Sequence, residues 1–166
     1  MKLMETLALA LVLAFLALPG TLTAQAESAT ADETQQEATA GLAILDARDV
    51  KLDDLLWIAR PLVIFADTPR DPRFILQMEL LDRRPEDLME RDVVVIIDTD
   101  PAAKSEVREK LRPNGFTFVL IDKDGTIILR KPQPWSTREL SRAIDKTPIR
   151  EEELKAEGEL LPDAVD

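Results

Sequence analysis

Neither cysteine nor histidine occurs anywhere in this chain of 166 residues. The first absence rules out thiol catalysis, disulfides and thiolate metal sites. The second removes the usual general base and the commonest transition-metal ligand. Glycine is scarce too, with five in all, and none of them builds a phosphate-cradling loop; no serine sits in a G-x-S-x-G elbow. The composition therefore names no catalytic residue, and no cofactor or metal is expected. Positive charge is also short, since 21 lysines and arginines face 32 aspartates and glutamates, for a net charge of −11 and a pI near 4.6. Such a surface repels phosphate backbones and anionic lipid, which argues against nucleic acid and acidic membranes as partners.

No apolar run approaches the roughly 20 residues that a membrane span requires. The longest, Leu7 to Leu18, follows Lys2 and precedes the breaker Pro19 and Gly20 and the small residues Ala24 and Ala26. That is the pattern of a secretory signal peptide. Residues 1–26 are expected to be cleaved after Ala26, with an uncleaved N-terminal anchor as the alternative; a lipoprotein is excluded because its lipidated cysteine is missing. The expected location is periplasmic or secreted, free of the membrane once the signal is gone. The 166 residues less these 26 leave 140, enough for one domain with its own core. Loss of Lys2 and Glu5 keeps the charge at −11. Residues 27–41 are small, polar and acidic and read as a disordered linker. Residues 42–154 read as the folded domain and 155–166 as an acidic tail.

Within the domain, the spacing of Leu52, Leu55, Leu56 and Ala59 predicts a helix over 50–59, ended by Pro61. Leu62 to Ala66 and Asp92 to Asp98 are continuous apolar runs of the kind a strand buried on both faces needs. Asp71 and Pro72 form an N-cap and first-turn proline for a helix with Phe74, Ile75, Met78 and Leu81 on its apolar stripe. Pro101 opens a more polar helix over 102–111. Phe116 to Asp122 and Thr126 to Lys131 flank "KDG" and predict a hairpin in which Gly125 supplies a positive φ. Ser136 and Glu139 make a capping box for a last helix with Leu140, Ala143 and Ile144 on one face. The order β-α-β-α-β-β-α, with right-handed crossovers and one antiparallel hairpin, predicts an α/β, thioredoxin-like fold: a four-stranded mixed sheet with helices on both faces. A flavodoxin-like sheet would need another helix in place of the tight turn at Gly125.

Four stretches, "RPLVIFADTPRDPRF", "ERDVVVIIDTD", "GFTFVLIDKDGTIILRKPQPWSTRELSRAID" and "KTPIREEE", together resemble the bacterial members of the DUDES domain family. That family has no established function and also occurs in vertebrate extracellular matrix proteins, including some with sushi repeats. The likeness spans Asp46 to Leu154. It implies a thioredoxin-like or peroxiredoxin-like fold and an extracytoplasmic location. Where thioredoxins carry C-x-x-C, this chain has "DTPRDP", Asp67 to Pro72; in the place of their cis-proline stands Thr117, the nearest upstream proline being Pro113. The likeness therefore carries over no redox chemistry. Relatives with cysteine near Thr68 or Arg70 would mark this chain as one that lost it.

The loop after the first buried strand is the candidate ligand site. Asp67, Thr68, Arg70, Asp71 and Arg73 gather at a helix N-terminus, where anions are favoured, and two arginines there suit a small anionic ligand or an acidic peptide. The plainer reading has Asp71 capping the helix, Pro72 starting it, and the arginines paired with nearby acids or solvent. Asp98, Asp100 and Glu106 imitate a calcium loop, but Ala103 stands where its glycine is needed, so an EF-hand is excluded. Asp67 and Asp98, at the ends of neighbouring strands, are a possible acid–base pair, a weak signal among 32 acids. Trp135 serves either as a hydrophobic staple against Leu140 or as an exposed anchor for a partner. The expected function is a binding or interaction module of the cell envelope, its partner an unknown protein or a small anion. The alternative is a cysteine-independent enzyme or anion-binding protein using the same loop.

Overall fold

The computed structural model describes residues 41–160. The expected signal peptide, nearly all of the expected linker and the last residues of the acidic tail lie outside the described residues. In chain order the elements are β1 (Ile44–Asp46), a 3-10 turn (Leu52–Leu55), β2 (Arg60–Phe65), α1 (Pro72–Asp82), α2 (Pro85–Met89) and β3 (Val93–Asp98). A second 3-10 turn (Pro101–Ala103), α3 (Glu106–Leu111), β4 (Thr117–Ile121), β5 (Ile127–Lys131), α4 (Thr137–Ile144) and α5 (Pro148–Leu160) follow. No helix among the described residues is long and apolar enough to cross a membrane.

The sheet has five strands in the order β1-β3-β2-β4-β5, not four. The extra strand, β1, pairs parallel to β3 over only three residues, all of them exposed. Its edge position explains why no buried apolar run marks it. β2 and β3 are parallel, while β2–β4 and β4–β5 are antiparallel, as the hairpin requires. All of β2 and β4 is buried, and alternation divides them between two cores. Leu62, Ile64, Phe118 and Leu120 pack with Leu81 of α1, Leu88 of α2, and Leu140 and Ile144 of α4. On the opposite face Val63, Phe65, Val119 and Ile121 pack with Leu52, Val107 and Leu111. Helices therefore cover both faces.

The caps form where the sequence places them. Asp71 accepts the Arg73 amide at 2.8 Å, and Ser136 and Glu139 form the reciprocal capping box. Gly125 has φ 86° at the hairpin turn.

Three expectations are corrected. The helix over 50–59 is a single 3-10 turn, after which Leu56 is extended and Trp57 enters the left-handed region at φ 62°. The Trp57 amide donates to the Lys123 carbonyl at 2.7 Å, so a contact with the distant hairpin replaces the next helical bond. A ten-residue helical pattern is marginal on its own and yields to such a contact. The helix over 102–111 is interrupted by Lys104 at φ 48° and restarts at a Ser105 cap. On α1, Ile75 is 46% exposed while Gln77 is buried. The Gln77 amide donates to the Trp135 carbonyl and accepts from the Trp135 amide, both at 2.9 Å. Trp135 is half-buried, with its ring edge-on to Phe118 at 6.1 Å, and packs on the core cluster that contains Leu140. Among the described residues α2 is an addition that the sequence reading did not include, and α5 continues as helix through Gly158.

Candidate functional site

The candidate loop leaves the carboxyl end of β2 and turns into α1. The turn is closed by the Asp71 amide donating to the Thr68 carbonyl at 3.1 Å and the Arg70 amide donating to the Thr68 hydroxyl at 3.3 Å. Asp71 then does two tasks: besides the cap, its carboxylate accepts both Nε and Nη2 of Arg73, at 3.2 and 2.9 Å. The Arg73 hydrogen bonds hold the Asp71 carboxyl below its ordinary range, and the same pairing raises the Arg73 guanidinium. That guanidinium also lies 5.3 Å from the Phe116 ring centroid. Of the five predicted residues, Thr68, Asp71 and Arg73 are thus engaged within the loop. Asp67 and Arg70 are exposed, and the Arg70 guanidinium has no hydrogen-bond or ion-pair partner among the described residues.

Asp98 lies at the end of β3, buried beside this loop, and its carboxylate is fully engaged. Ser105 Oγ donates to it at 2.5 Å, and Arg108 donates through Nε at 3.0 Å and Nη2 at 2.8 Å. Arg108 Nη2 also reaches the Ala66 carbonyl at 3.1 Å, which ties the ends of β2 and β3 together. With one carboxylate oxygen taken by the Ser105 hydroxyl and the other by the Arg108 guanidinium, Asp98 serves as a structural tie. Asp100 caps the 3-10 turn by accepting the Ala102 amide at 3.0 Å. Sequence reasoning missed Ser105 and Arg108; the signal available was a serine three residues before an arginine at a helix start. Among the described residues no group of three or more acidic side chains is placed to hold a metal ion.

A second polar cluster, which sequence reasoning also missed, lies at the amino end of β2. Arg60 is fully buried and donates Nε to Asp122 at 2.8 Å, Nη1 to the Arg91 carbonyl at 3.0 Å and Nη2 to Glu153 at 3.1 Å. Lys123 bridges Asp92 at 2.7 Å and Glu153 at 2.8 Å, and Arg150 reaches Glu153 at 3.2 Å. Burial pushes the Glu153 carboxyl up, but hydrogen bonds from Lys123 and Arg150 and the charge of Arg60 outweigh it and leave the group below its ordinary value. These contacts fasten α5 and the hairpin turn to the start of β2. The Arg150 Nε is buried without a partner among the described residues.

Solved structures with a similar backbone include chloroplastic thioredoxin z, at 19% identity and a TM-score of 0.50 over 63% of this chain and 94% of that one. They also include the reduced 2-Cys peroxiredoxin of Plasmodium vivax, at 18% identity and 0.48 over 63% and 85%. Plasmodium yoelii thioredoxin peroxidase I aligns at 20% identity and 0.45 over 62% and 80%. The thioredoxin z match, with the strand order described above, shows a thioredoxin-like fold and nothing about activity. No curated protein matches the chain. A family model described as a domain of unknown function, DUF4174, matches residues 51–153. Since that match takes in the sheet from β2 onward, α1 to α4 and the first half of α5, the chain belongs to the DUF4174 family.

Proposed function

We propose that this chain is an exported, thioredoxin-like interaction module that works without thiol chemistry. The observation that carries the reading is the state of the junction between β2 and α1. A fold of this kind places reactive thiols there, whereas here Asp71, Arg73 and Thr68 bind one another and Asp98 is held by Ser105 and Arg108. Polar groups that satisfy each other serve stability, and of the five candidate residues only Asp67 and Arg70 remain exposed without such a task. The four stretches quoted above further support a bacterial member of the DUDES family, periplasmic or secreted after cleavage at Ala26, with a protein partner and not nucleic acid. Mass spectrometry of the periplasmic fraction should find a chain beginning at Glu27; an intact Met1 overturns the export reading.

A second reading, a small-anion site, draws on the exposed Arg70 guanidinium beside the N-terminus of α1. A thermal-shift panel of small anions, sugars and divalent metals separates the two. The interaction module gives no specific stabiliser. A stabilising anion whose effect disappears in both Arg70→Ala and Arg73→Ala overturns the first reading and establishes the second.

A further inference from the structure

At the amino end of β2, opposite the α1 junction, Leu56, Trp57 and Ile58 form an apolar tip. Trp57 is 70% exposed and Ile58 67%. A large non-glycine residue at positive φ is strained, yet the tip is held there firmly. The Trp57 amide is bound by the Lys123 carbonyl, the Ile58 and Ala59 amides both return to the Leu55 carbonyl at 3.1 Å, and the Lys123 side chain is itself anchored to Asp92 and Glu153. A strained, exposed aromatic on a multiply anchored frame has the properties of a preorganised binding hot spot. Leu56 joins Leu52, Leu55, Leu111, Ile121 and Ile127 in lining a cavity of about 240 Å³ whose rim also carries Asp53, Lys110, Asp122 and Lys123. An apolar cavity of about 150 Å³ already admits a benzene ring, so this one takes one large apolar side chain.

The charges around the tip select the partner. Lys110 and Lys123 at the cavity are already neutralised, the first by Asp53 at 2.7 Å and the second by Asp92 and Glu153. Asp54 in the first 3-10 turn and Asp124 in the hairpin turn have no basic partner among the described residues, and the whole chain carries −11. On the free edge, β5 carries a bulge opposite Leu120 and Ile121, which disfavours edge-to-edge strand pairing there, so the tip and not the sheet edge is the docking surface. We propose that the Leu56 to Ile58 tip and its cavity are a protein-docking site for an extended segment of a partner protein, apolar at its centre and basic at its flanks. One apolar side chain of that segment fills the cavity beside Leu56, the neighbouring residues of the segment pack on the exposed Trp57 and Ile58, and its basic flanks meet Asp54 and Asp124. This site deepens the interaction-module reading and rests on it.

Two synthetic peptides test it with the full chain: one alternating leucine and threonine with lysine at both ends, the other identical but with glutamate at the ends. Binding is read by calorimetry and by Trp57 emission in a Trp135→Phe background. The lysine peptide should bind and shift the emission to the blue, and the glutamate peptide should bind far more weakly. Trp57→Gly should weaken lysine-peptide binding about thirtyfold, the loss expected for a hot-spot side chain, while leaving the melting temperature unchanged or raised, because glycine relieves the backbone strain. A purely structural Trp57 would instead lower the melting temperature. The proposal is overturned by equal binding of both peptides, by no binding at millimolar peptide, or by binding indifferent to Trp57→Gly. An emission shift on zwitterionic vesicles in place of peptide, or self-association that Trp57→Gly abolishes, overturns it equally by assigning the tip to a membrane or to a second copy. None of these outcomes depends on the small-anion panel, so the two readings fail separately.

Discussion

Replacing Arg60 by methionine tests the buried cluster that fastens α5 to the sheet. The Arg60 side chain is wholly buried and Asp122 is nearly so, at 6% exposed, with Glu153 at 21%. Methionine keeps most of the apolar stem, so the cavity left behind is small. What is lost is the counter-charge: Asp122 retains only the Lys123 amide at 2.9 Å, and the Arg91 carbonyl loses its donor. Removing one partner of a buried ion pair costs about 3–5 kcal/mol, because the other charge stays buried without compensation. That is a large share of the roughly 5–15 kcal/mol that holds a domain together. At about 3–5 °C per kcal/mol for a domain of this size, the melting temperature should fall by roughly 15 °C. Urea denaturation followed by circular dichroism measures it, with an unchanged m-value showing that the unfolded state is the same. The double variant Arg60→Met/Asp122→Leu removes both charges and should recover much of the loss. A single-variant loss under about 1 kcal/mol, or a double variant no more stable than the single, refutes the account.

Asp71→Ala should lower stability by about 1 kcal/mol through the lost cap, whereas Arg73→Ala, whose side chain is half-exposed, should change it by no more than about 0.5 kcal/mol in urea melts. Gly125→Val should cost more than about 1 kcal/mol, since a β-branched residue at φ 86° is strained and its Cβ would meet Leu56 Cδ2 at 3.1 Å; an unchanged melting temperature contradicts the turn. Acid should loosen α5. The folded Glu153 carboxyl titrates below its ordinary value of 4.5, so as pH falls the unfolded chain takes up the proton first. The contribution of Glu153 is complete above that value and disappears as pH drops through the lowered folded one. Stability measured from neutral pH downward should decline less steeply in this window for Glu153→Gln, and parallel curves for the two proteins contradict the assignment.

What the sequence determined by itself is whatever residues within about four positions of each other decide. The Asp71 cap with Pro72, the Ser136 and Glu139 box, the turn at Gly125 and the apolar runs of β2, β3 and β4 were all readable for that reason, and their order dictated a thioredoxin-like fold. The empty thiol position followed from composition alone. The placement of Asp67, Thr68, Arg70, Asp71 and Arg73 around one helix start was readable too, but not that Asp71 would take Arg73 for itself, which depends on side-chain geometry. Tertiary structure decided the rest. β1 exists only because β3 offers it an edge, and its exposed residues carry no pattern of their own. The helical spacing of Leu52, Leu55 and Leu56 lost to one backbone bond from Trp57 to Lys123, 66 positions away. Arg60 meets Asp122 and Glu153 across 62 and 93 positions, and Gln77 meets Trp135 across 58. Such pairings are fixed when the sheet closes and the cores exclude water, because only there does a buried charge or amide need one particular partner.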